Sequence, residues 1–388
     1  MIGTDIGKKV GIVGVGQTKY EEKKDQSIPE MVYAAVCKAL DDAGLTLNDI
    51  DNIVTASVDL WDGKTASNVL ITEVVGAVMK TETRIAADGI AAAYHALMTI
   101  LSGTFDVTLV VAHCKGSEGS HYSLTNWVFD PIYQQKLGLD YLSAAALQAS
   151  WYMDKYGITE EQCAKVSVKN HRNALKNPYA QMPMNITVRD VLNSKILAHP
   201  IKHLDAAPVS DGACALILAS DQRTKKISKL KGRDPAWIKG VGNNLDFHYL
   251  GDRDLTKCDG LILAARRTYQ MAGIEKPLKD IDVAEVSEPF SYQELLWTEG
   301  LGFCKRGEGG RLIDEGVTEM GGELPVNPSG GMLAGNPYTV AGLTRLAEAT
   351  LQVRGEAYGR QVFDARIALA LGATGPCGQA QCVIIVGK

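Results

Sequence analysis

The sequence lacks any run of about 18 apolar residues, the length a membrane-crossing helix needs, and its N-terminus lacks the basic-then-apolar layout of a secretory leader. Neither membrane insertion nor export is expected. It lacks a strong charge of one sign: 40 Lys and Arg against 45 Asp and Glu leave a formal −5 over 388 residues, too little to predict nucleic acid or an anionic membrane surface as partner. It also lacks a cysteine framework. Eight cysteines are scattered from Cys37 to Cys382, which predicts a reduced, cytoplasmic chain. The only close pair, Cys377 and Cys382, lacks the two-residue spacing of a zinc knuckle, so no metal is expected in this chain.

What the sequence does contain is a repeat. Lys9-Val10-Gly11-Ile12-Val13-Gly14-Val15-Gly16-Gln17 is echoed by Ala236-Trp237-Ile238-Lys239-Gly240-Val241-Gly242-Asn243, each an apolar run ending in Gly-Val-Gly. Both read as strands. Each copy continues with a helical pattern closed by glycine (Gly44, Gly273) and a second apolar run (Asp49 to Val54, Asp280 to Ala284). Ser27 and Glu30 have capping-box spacing, Pro29 suits a first helical turn and Gly44 a C-terminal stop. Further on, a helix over Asp88–Ser102 precedes a strand over Val107–Ala112, as Thr339–Arg354 precedes Ala365–Leu371, and closing strands Cys214–Ser220 and Gln381–Gly387 pair. Such units predict parallel sheets covered by helices, in two similar halves. From about Gly119 to Lys202 the rhythm breaks, although Leu142, Ala145, Leu147, Trp151 and Met153 predict a helix over Tyr141–Tyr156.

Residues 326–342 read Val-Asn-Pro-Ser-Gly-Gly-Met-Leu-Ala-Gly-Asn-Pro-Tyr-Thr-Val-Ala-Gly. This resembles the thiolase segment in which a catalytic histidine stands between Gly and Pro; here Asn336 takes that place. Together with Ser210-Asp211-Gly212-Ala213 and the duplication, the chain is similar to thiolases over nearly its whole length. The resemblance implies an α/β thiolase fold, two duplicated halves in a five-layered α/β/α/β/α arrangement with a loop-domain insertion. It assigns residues 1–118 and 203–245 to the N-terminal half, 119–202 to a loop domain that binds coenzyme A and the acyl group, and 246–388 to the C-terminal half. It also implies a homodimer built through the N-terminal halves.

The resemblance allows each catalytic station to be compared. Thiolases place a nucleophilic cysteine before a small hydroxyl residue and glycine at the start of a buried helix; here Arg84-Ile85-Ala86-Ala87-Asp88-Gly89 puts Ala86 in that position, and alanine forms no acyl-enzyme. Asp88 is either a base aimed into the pocket or, more simply, a helix N-cap. At the oxyanion station Ser287-Glu288-Pro289-Phe290 replaces Asn-Glu-Ala-Phe; Ser287 can donate one hydrogen bond and Glu288 keeps the acid. Asn336 can donate to an oxyanion but takes up no proton, and neighbouring Tyr338 is the nearest potential acid. The C-terminal glycine loop reads Leu371-Gly372-Ala373-Thr374-Gly375-Pro376-Cys377-Gly378. If Gly375 to Gly378 is the family's turn, the acid/base cysteine falls near Gly372, while a shift of one element would put Cys377 at the centre. Ala86, Asp88 and Gly375 are the positions expected to supply the backbone of an oxyanion hole.

Three mechanisms fit these residues. Coenzyme A, as substrate and not as a covalently bound cofactor, could attack a bulky β-keto acyl-CoA directly, without an acyl-enzyme. A β-hydroxy acyl-CoA could be cleaved by retro-aldol chemistry, as in thiolase-like aldolases whose work resembles tyrosine acid/base catalysis, although Ser287 and Asn336 are poor proton acceptors. The chain could also bind acyl-CoA as a non-catalytic subunit. Within the family the resemblance is to the archaeal and lipid-transfer-protein (SCP2) type, whose members often work beside a small zinc-ribbon and OB-fold protein. One such thiolase converts benzoylsuccinyl-CoA and coenzyme A to benzoyl-CoA and succinyl-CoA. Thiolysis with such a partner is the leading expectation.

Overall fold

The computed structural model describes residues 9–388. The first half contributes β1 (Val10–Gln17), α1 (Ile28–Ala43), β2 (Asn52–Ala56), β3 (Thr81–Ile85), α2 (Gly89–Leu101), β4 (Val107–Lys115), α3 (Tyr141–Tyr156), α4 (Glu160–Ala174), β5 (Asp211–Ser220) and α5 (Asp221–Lys231). There follow β6 (Ala236–Leu245), α6 (Asp259–Ala272), β7 (Val283–Val286), α7 (Ser291–Gly300), α8 (Ala341–Arg354), β8 (Ile367–Thr374) and β9 (Ala380–Gly387). The strands run in the order β3-β2-β4-β5-β1-β6-β9-β8-β7. The halves touch at β1 and β6 through two residue pairs, Gly11 with Trp237 and Ile12 with Ala236. On the outer side of β7, Val326 bridges Ala284 in parallel, where the first half has β3. The second half therefore repeats the order of the first.

The sheets are mixed, not parallel as expected from the strand–helix rhythm. β2 runs parallel to β3 and β4, and β7 to β8, but β4–β5, β5–β1, β6–β9 and β9–β8 are antiparallel. Residues 375–379 alone join β8 to β9, and so short a link allows only an antiparallel pair. Ala236–Leu245, grouped above with the N-terminal half, pairs along its length with Ala380–Gly387 of the C-terminal half.

Successive side chains of a strand face opposite ways, and here both faces are covered. Leu109 and Val111 of β4 pack with α1 and with Ile227 of α5, while Val110 and Ala112 face the centre with α2 and α8. Leu369 and Leu371 of β8 face the outer layer of α6 and α7, and Ala368 and Ala370 the same central layer. The result is the expected α/β/α/β/α stack. α1 begins with the capping box of Ser27 and Glu30 and ends at left-handed Gly44. Tyr141–Tyr156 is helical over the expected span.

The Gly-Val-Gly repeat has a packing cause. A Cβ on Gly16 would lie 2.1 Å from the Ala35 carbonyl oxygen of α1, and one on Gly242 would lie 2.1 Å from the Ala264 carbonyl oxygen of α6. In each half the first strand lies directly on the backbone of its covering helix, and any side chain there would separate the two layers.

The two halves are tied by Asp88. It caps α2, its Oδ1 accepting from the Ile90 N–H at 2.9 Å, and its Oδ2 accepts from the Gly342 N–H at the start of α8 at 2.8 Å. Asp88→Ala removes a helix cap, worth about 0.5–2 kcal/mol, and strands a buried N–H, which costs about 1–3 kcal/mol. We expect chemical denaturation to show a loss of roughly 2–4 kcal/mol at unchanged m value. A loss no larger than that of an ordinary surface substitution would mean that Asp88 does not join the halves.

Candidate active site

A cavity of about 410 Å³ opens where the ends of β3 and β8, the segment before α8, the start of α7 and the insertion meet. Of the residues singled out from sequence, Ala86, Asn336, Tyr338, Gly375 and Cys377 line it. Segments some 250 residues apart in the chain thus share one wall, as the resemblance implies.

Asp88, Ser287 and Glu288 do not line it. Asp88 is turned into the central layer, where a Cβ on Gly342 would lie 2.0 Å from its Oδ1. Burial pushes its carboxyl up to about 7, while the Ile90 and Gly342 N–H groups pull it back. Its work is capping. The Ser287 side chain is fully buried, its Oγ has no partner among the described residues, and its carbonyl accepts from the indole N–H of Trp297 at 2.9 Å. Ser287, expected as an oxyanion donor, thus lies outside the cavity lining.

Glu288 lies beneath the floor. Its Oε1 accepts from Asn170 Nδ2 at 2.9 Å, the Met332 N–H at 3.0 Å and the Leu333 N–H at 3.4 Å. A Cβ on Gly331, which has φ +64°, would fall 1.9 Å from that oxygen, which explains one glycine of the diagnostic segment. Burial, with the negative charge of Glu294 second, pushes the Glu288 carboxyl up to about 8. Met332 and Asn336 of the same segment line the cavity, so Glu288 shapes the site from below. The Ser-Asp-Gly-Ala motif fixes the other end: Ser210 Oγ accepts from the Asn336 N–H at 2.8 Å, and Asp211 accepts from the backbone N–H groups of Lys24 and Ser117, each at 2.9 Å. Asn336 Oδ1 accepts from the Tyr338 N–H at 3.1 Å, which leaves its Nδ2 as the end free to donate into the cavity.

Tyr338 is more than a packed residue. It has φ +30°, a conformation rare for a side-chain-bearing residue. Its ring stacks on Trp61, centroids 4.5 Å apart and planes parallel, and on His121 at 5.0 Å and 13°. His121 is held by Nε2–H donation to the Gly116 carbonyl at 2.8 Å, and burial lowers its pKa. The Tyr338 hydroxyl has no hydrogen-bond partner among the described residues, and burial pushes it well up. A second phenol, Tyr141 at the start of α3, lines the same cavity, also without a partner for its hydroxyl among the described residues, and burial pushes it up to about 12.

Tyr141, Trp61 and Gln293 were not foreseen as site residues. Tyr141 follows the N-cap Asp140 as any first-turn residue could, and nothing local shows that its hydroxyl faces residues some 200 positions away. Among the described residues no group of three or more His, Cys, Asp and Glu could hold a metal ion.

The fold is that of thiolases. Thiolase N-terminal domain matches residues 10–222 and the thiolase C-terminal domain-like family matches residues 244–388. The chain belongs to the thiolase family. It is 35% identical to an acetyl-CoA acetyltransferase of Methanothermobacter thermautotrophicus over 95% of this chain and 97% of that one, and 27% identical to the benzoylsuccinyl-CoA thiolase subunit BbsB of Thauera aromatica over 92% of each. Its structure is similar to that of an Ltp2-ChsH2(DUF35) aldolase, with TM-score 0.84 and 26% identity, covering 98% of this chain and 97% of that one.

Cys377 lines the cavity at φ +52°, but its thiol donates to the Ala144 carbonyl at 3.3 Å. Burial pushes it up to about 12 against the pull of Arg253, so at neutral pH the nucleophilic thiolate is scarce. Iodoacetamide at pH 7.5, read by peptide mass spectrometry, is expected to alkylate half-buried Cys37 well before Cys377, with the Cys377 rate rising about tenfold per pH unit above 8. Fastest labelling at Cys377 would restore it as a nucleophile.

Proposed function

We propose that this chain cleaves a C–C bond in a bulky β-hydroxy acyl-CoA by a retro-aldol reaction, running in reverse as an aldol addition. The observation that carries this reading is the pair of unpartnered phenols, Tyr338 and Tyr141, in one cavity that Ala86 and Asn336, aligned by resemblance with the nucleophile and the histidine, also line. The reaction moves one proton from the β-oxygen to the α-carbon. The O–H bond breaks, the Cα–Cβ bond breaks, its electron pair passes into a thioester enolate, a carbonyl forms at Cβ, and Cα takes the proton. Because there is no net proton uptake, two neutral phenols can relay the proton without either ionising, in keeping with pKa values that burial pushes up. Tyr338 would take the β-hydroxyl proton while passing its own on. Asn336 Nδ2, with the backbone at Ala86 and Gly375, would face the thioester oxygen as the enolate charge develops.

Thiolysis is the second reading, favoured by the names of the acetyltransferase and BbsB relatives. Without an acyl-enzyme it needs the substrate thioester and a second coenzyme A thiol in the site together. An acyl-enzyme would let the first product leave before coenzyme A enters; alanine at 86 forms none. On either reading coenzyme A is bound as substrate, and residues 119–202 cover it. We also read the protein as a cytoplasmic homodimer working with a small zinc-ribbon and OB-fold partner; the pairing of Ltp2 with ChsH2(DUF35) in the similar aldolase supports a partner protein.

The purified chain, with and without such a partner, is to be incubated with β-hydroxy and β-keto acyl-CoAs and followed by mass spectrometry. Aldehyde or ketone release without added coenzyme A is expected. Paired acyl-CoA products that need free coenzyme A would replace this reading by thiolysis, and no turnover of either class would leave a binding subunit. Tyr338→Phe is expected to lower kcat by about 10²–10⁴ with substrate affinity nearly unchanged. Between pH 6 and 9 the phenols stay protonated, so kcat is expected to be level there; a limb near pH 8 that disappears in Glu288→Gln would report the floor carboxyl instead.

A further inference from the structure

The proton relay leaves one polar group of the cavity without a role. Trp61 lies in the short helical turn Asp59–Asp62 that follows β2, and its indole packs on both phenols, on Tyr338 at 4.5 Å and on Tyr141 at 6.4 Å and 55°. His121 stacks on it as well, at 5.6 Å and 14°. The ring lines the cavity and keeps 8% of its surface exposed. Its Nε1–H has no hydrogen-bond partner among the described residues, yet it is not one of the polar atoms closed off from solvent. Its neighbours in the lining, Val58, Leu60 and Leu124, carry no side-chain acceptor.

A buried indole ordinarily finds an acceptor, and leaving that bond unmade is unfavourable. Here the exposed part of the ring opens on the cavity, so the acceptor is one that a ligand brings. An indole N–H donates and never accepts. It therefore takes no part in moving a proton; what it can bind is an oxygen lone pair. On the reading above, the thioester oxygen is met by Asn336 and the backbone at Ala86 and Gly375, and the β-hydroxyl proton passes to Tyr338. A hydroxyl has two lone pairs besides its proton, and these are left for a donor held against the same phenols. We propose that the Trp61 indole N–H donates to the β-oxygen of the bound acyl chain and makes the site selective for chains with an oxygen on that carbon over saturated ones. As the O–H bond breaks, charge gathers on the β-oxygen, and a fixed donor that does not ionise stabilises it without competing for the proton. The inference rests on the acyl-CoA reading of the cavity and deepens it. A β-keto oxygen would accept the same bond, so the choice between retro-aldol cleavage and thiolysis does not affect it.

The test uses two thioether probes, S-(3-hydroxy-3-phenylpropyl)-CoA as each enantiomer and S-(3-phenylpropyl)-CoA, which lack the thioester and undergo neither reaction. The full chain, grown with isotope-labelled tryptophan, gives indole N–H signals from its five tryptophans, and the signal missing from Trp61→Phe is that of Trp61. We expect this signal to lie downfield in the complex with one hydroxy enantiomer relative to the deoxy complex, because only the former supplies an acceptor. The same position in all complexes overturns the assignment, whatever the stability of the variant. By isothermal titration that enantiomer is expected to bind the wild type more tightly than the deoxy probe, and Trp61→Phe is expected to cut this ratio by roughly threefold to tenfold, the worth of one neutral hydrogen bond. A residue that only packs against Tyr338 would weaken both probes alike when replaced, so an unchanged ratio also overturns the assignment. Failure of both probes to bind the wild type would remove the acyl-CoA reading and the inference with it, whereas thiolytic turnover of a β-keto acyl-CoA would remove the retro-aldol reading and leave the Trp61 signal and the ratio as they stand.

Discussion

One carboxylate holds the two halves of the molecule in register. Asp88 sits between the N-termini of the two central helices and accepts from both. Gly342 and Gly372 press on it from the second half; a Cβ on Gly372 would lie 3.0 Å from its Oδ1. Every cavity segment near the inter-half contact is a direct neighbour of this clasp. Ala86 and Ala87 precede Asp88, Tyr338 and Thr339 precede α8, and Ala373 and Thr374 follow Gly372. The helix ends favour negative charge there, while burial opposes it, so the clasp joins the halves and also places both alanines against the tyrosine wall.

Half of this arrangement was legible in the sequence. The duplication, the capping box at Ser27, the helix over Tyr141–Tyr156 and the convergence of Ala86, Asn336 and Cys377 all follow from local pattern or aligned motif. Asp88 was legible as a cap because Asp before a helix ordinarily is one. Its second bond, to Gly342, joins residues 254 apart and leaves no local signal. Strand direction failed for a related reason: the strand–helix rhythm determines neighbours, but the direction of β5 and β9 depends on where the chain returns after an insertion or a tight turn. Ser287 and Tyr141 exchanged prominence because side-chain direction, not residue type, decides which group meets the ligand.

Ala86 and Asn336, which the resemblance aligns with the thiolase cysteine and histidine, line one cavity with Tyr338 and Tyr141. On that alignment neither a thiol nor an imidazole stands at Ala86 or Asn336. Tyr338 is held at φ +30° against Trp61 and His121, and its hydroxyl shares with that of Tyr141 a cavity whose burial keeps both phenols neutral. Such a site suits a reaction whose proton starts and ends on the substrate. It suits poorly one that must ionise a thiol at neutral pH.

The floor shows what maintaining that wall requires. Lys169 pairs with Glu294 at 2.8 Å, Arg345 with Glu285 at 2.8 Å and Arg360 with Glu348 at 2.9 Å, all six side chains nearly or fully buried. Buried ion pairs recover little more than their own desolvation, so stability alone does not explain them. The first two of these pairs bond to the glycine-rich segment. Glu294 accepts from Asn327 Nδ2 at 3.0 Å, Glu285 accepts from the Ser329 N–H at 3.0 Å, and Asn327 Oδ1 in turn accepts from the Val286 N–H at 2.8 Å. Asn327 has φ +54°, and Gly330 and Gly331 are also left-handed. A backbone so far from ordinary geometry persists only where its surroundings over-determine it. The charged floor supplies that determination, and the segment it fixes leads directly to Asn336 and Tyr338.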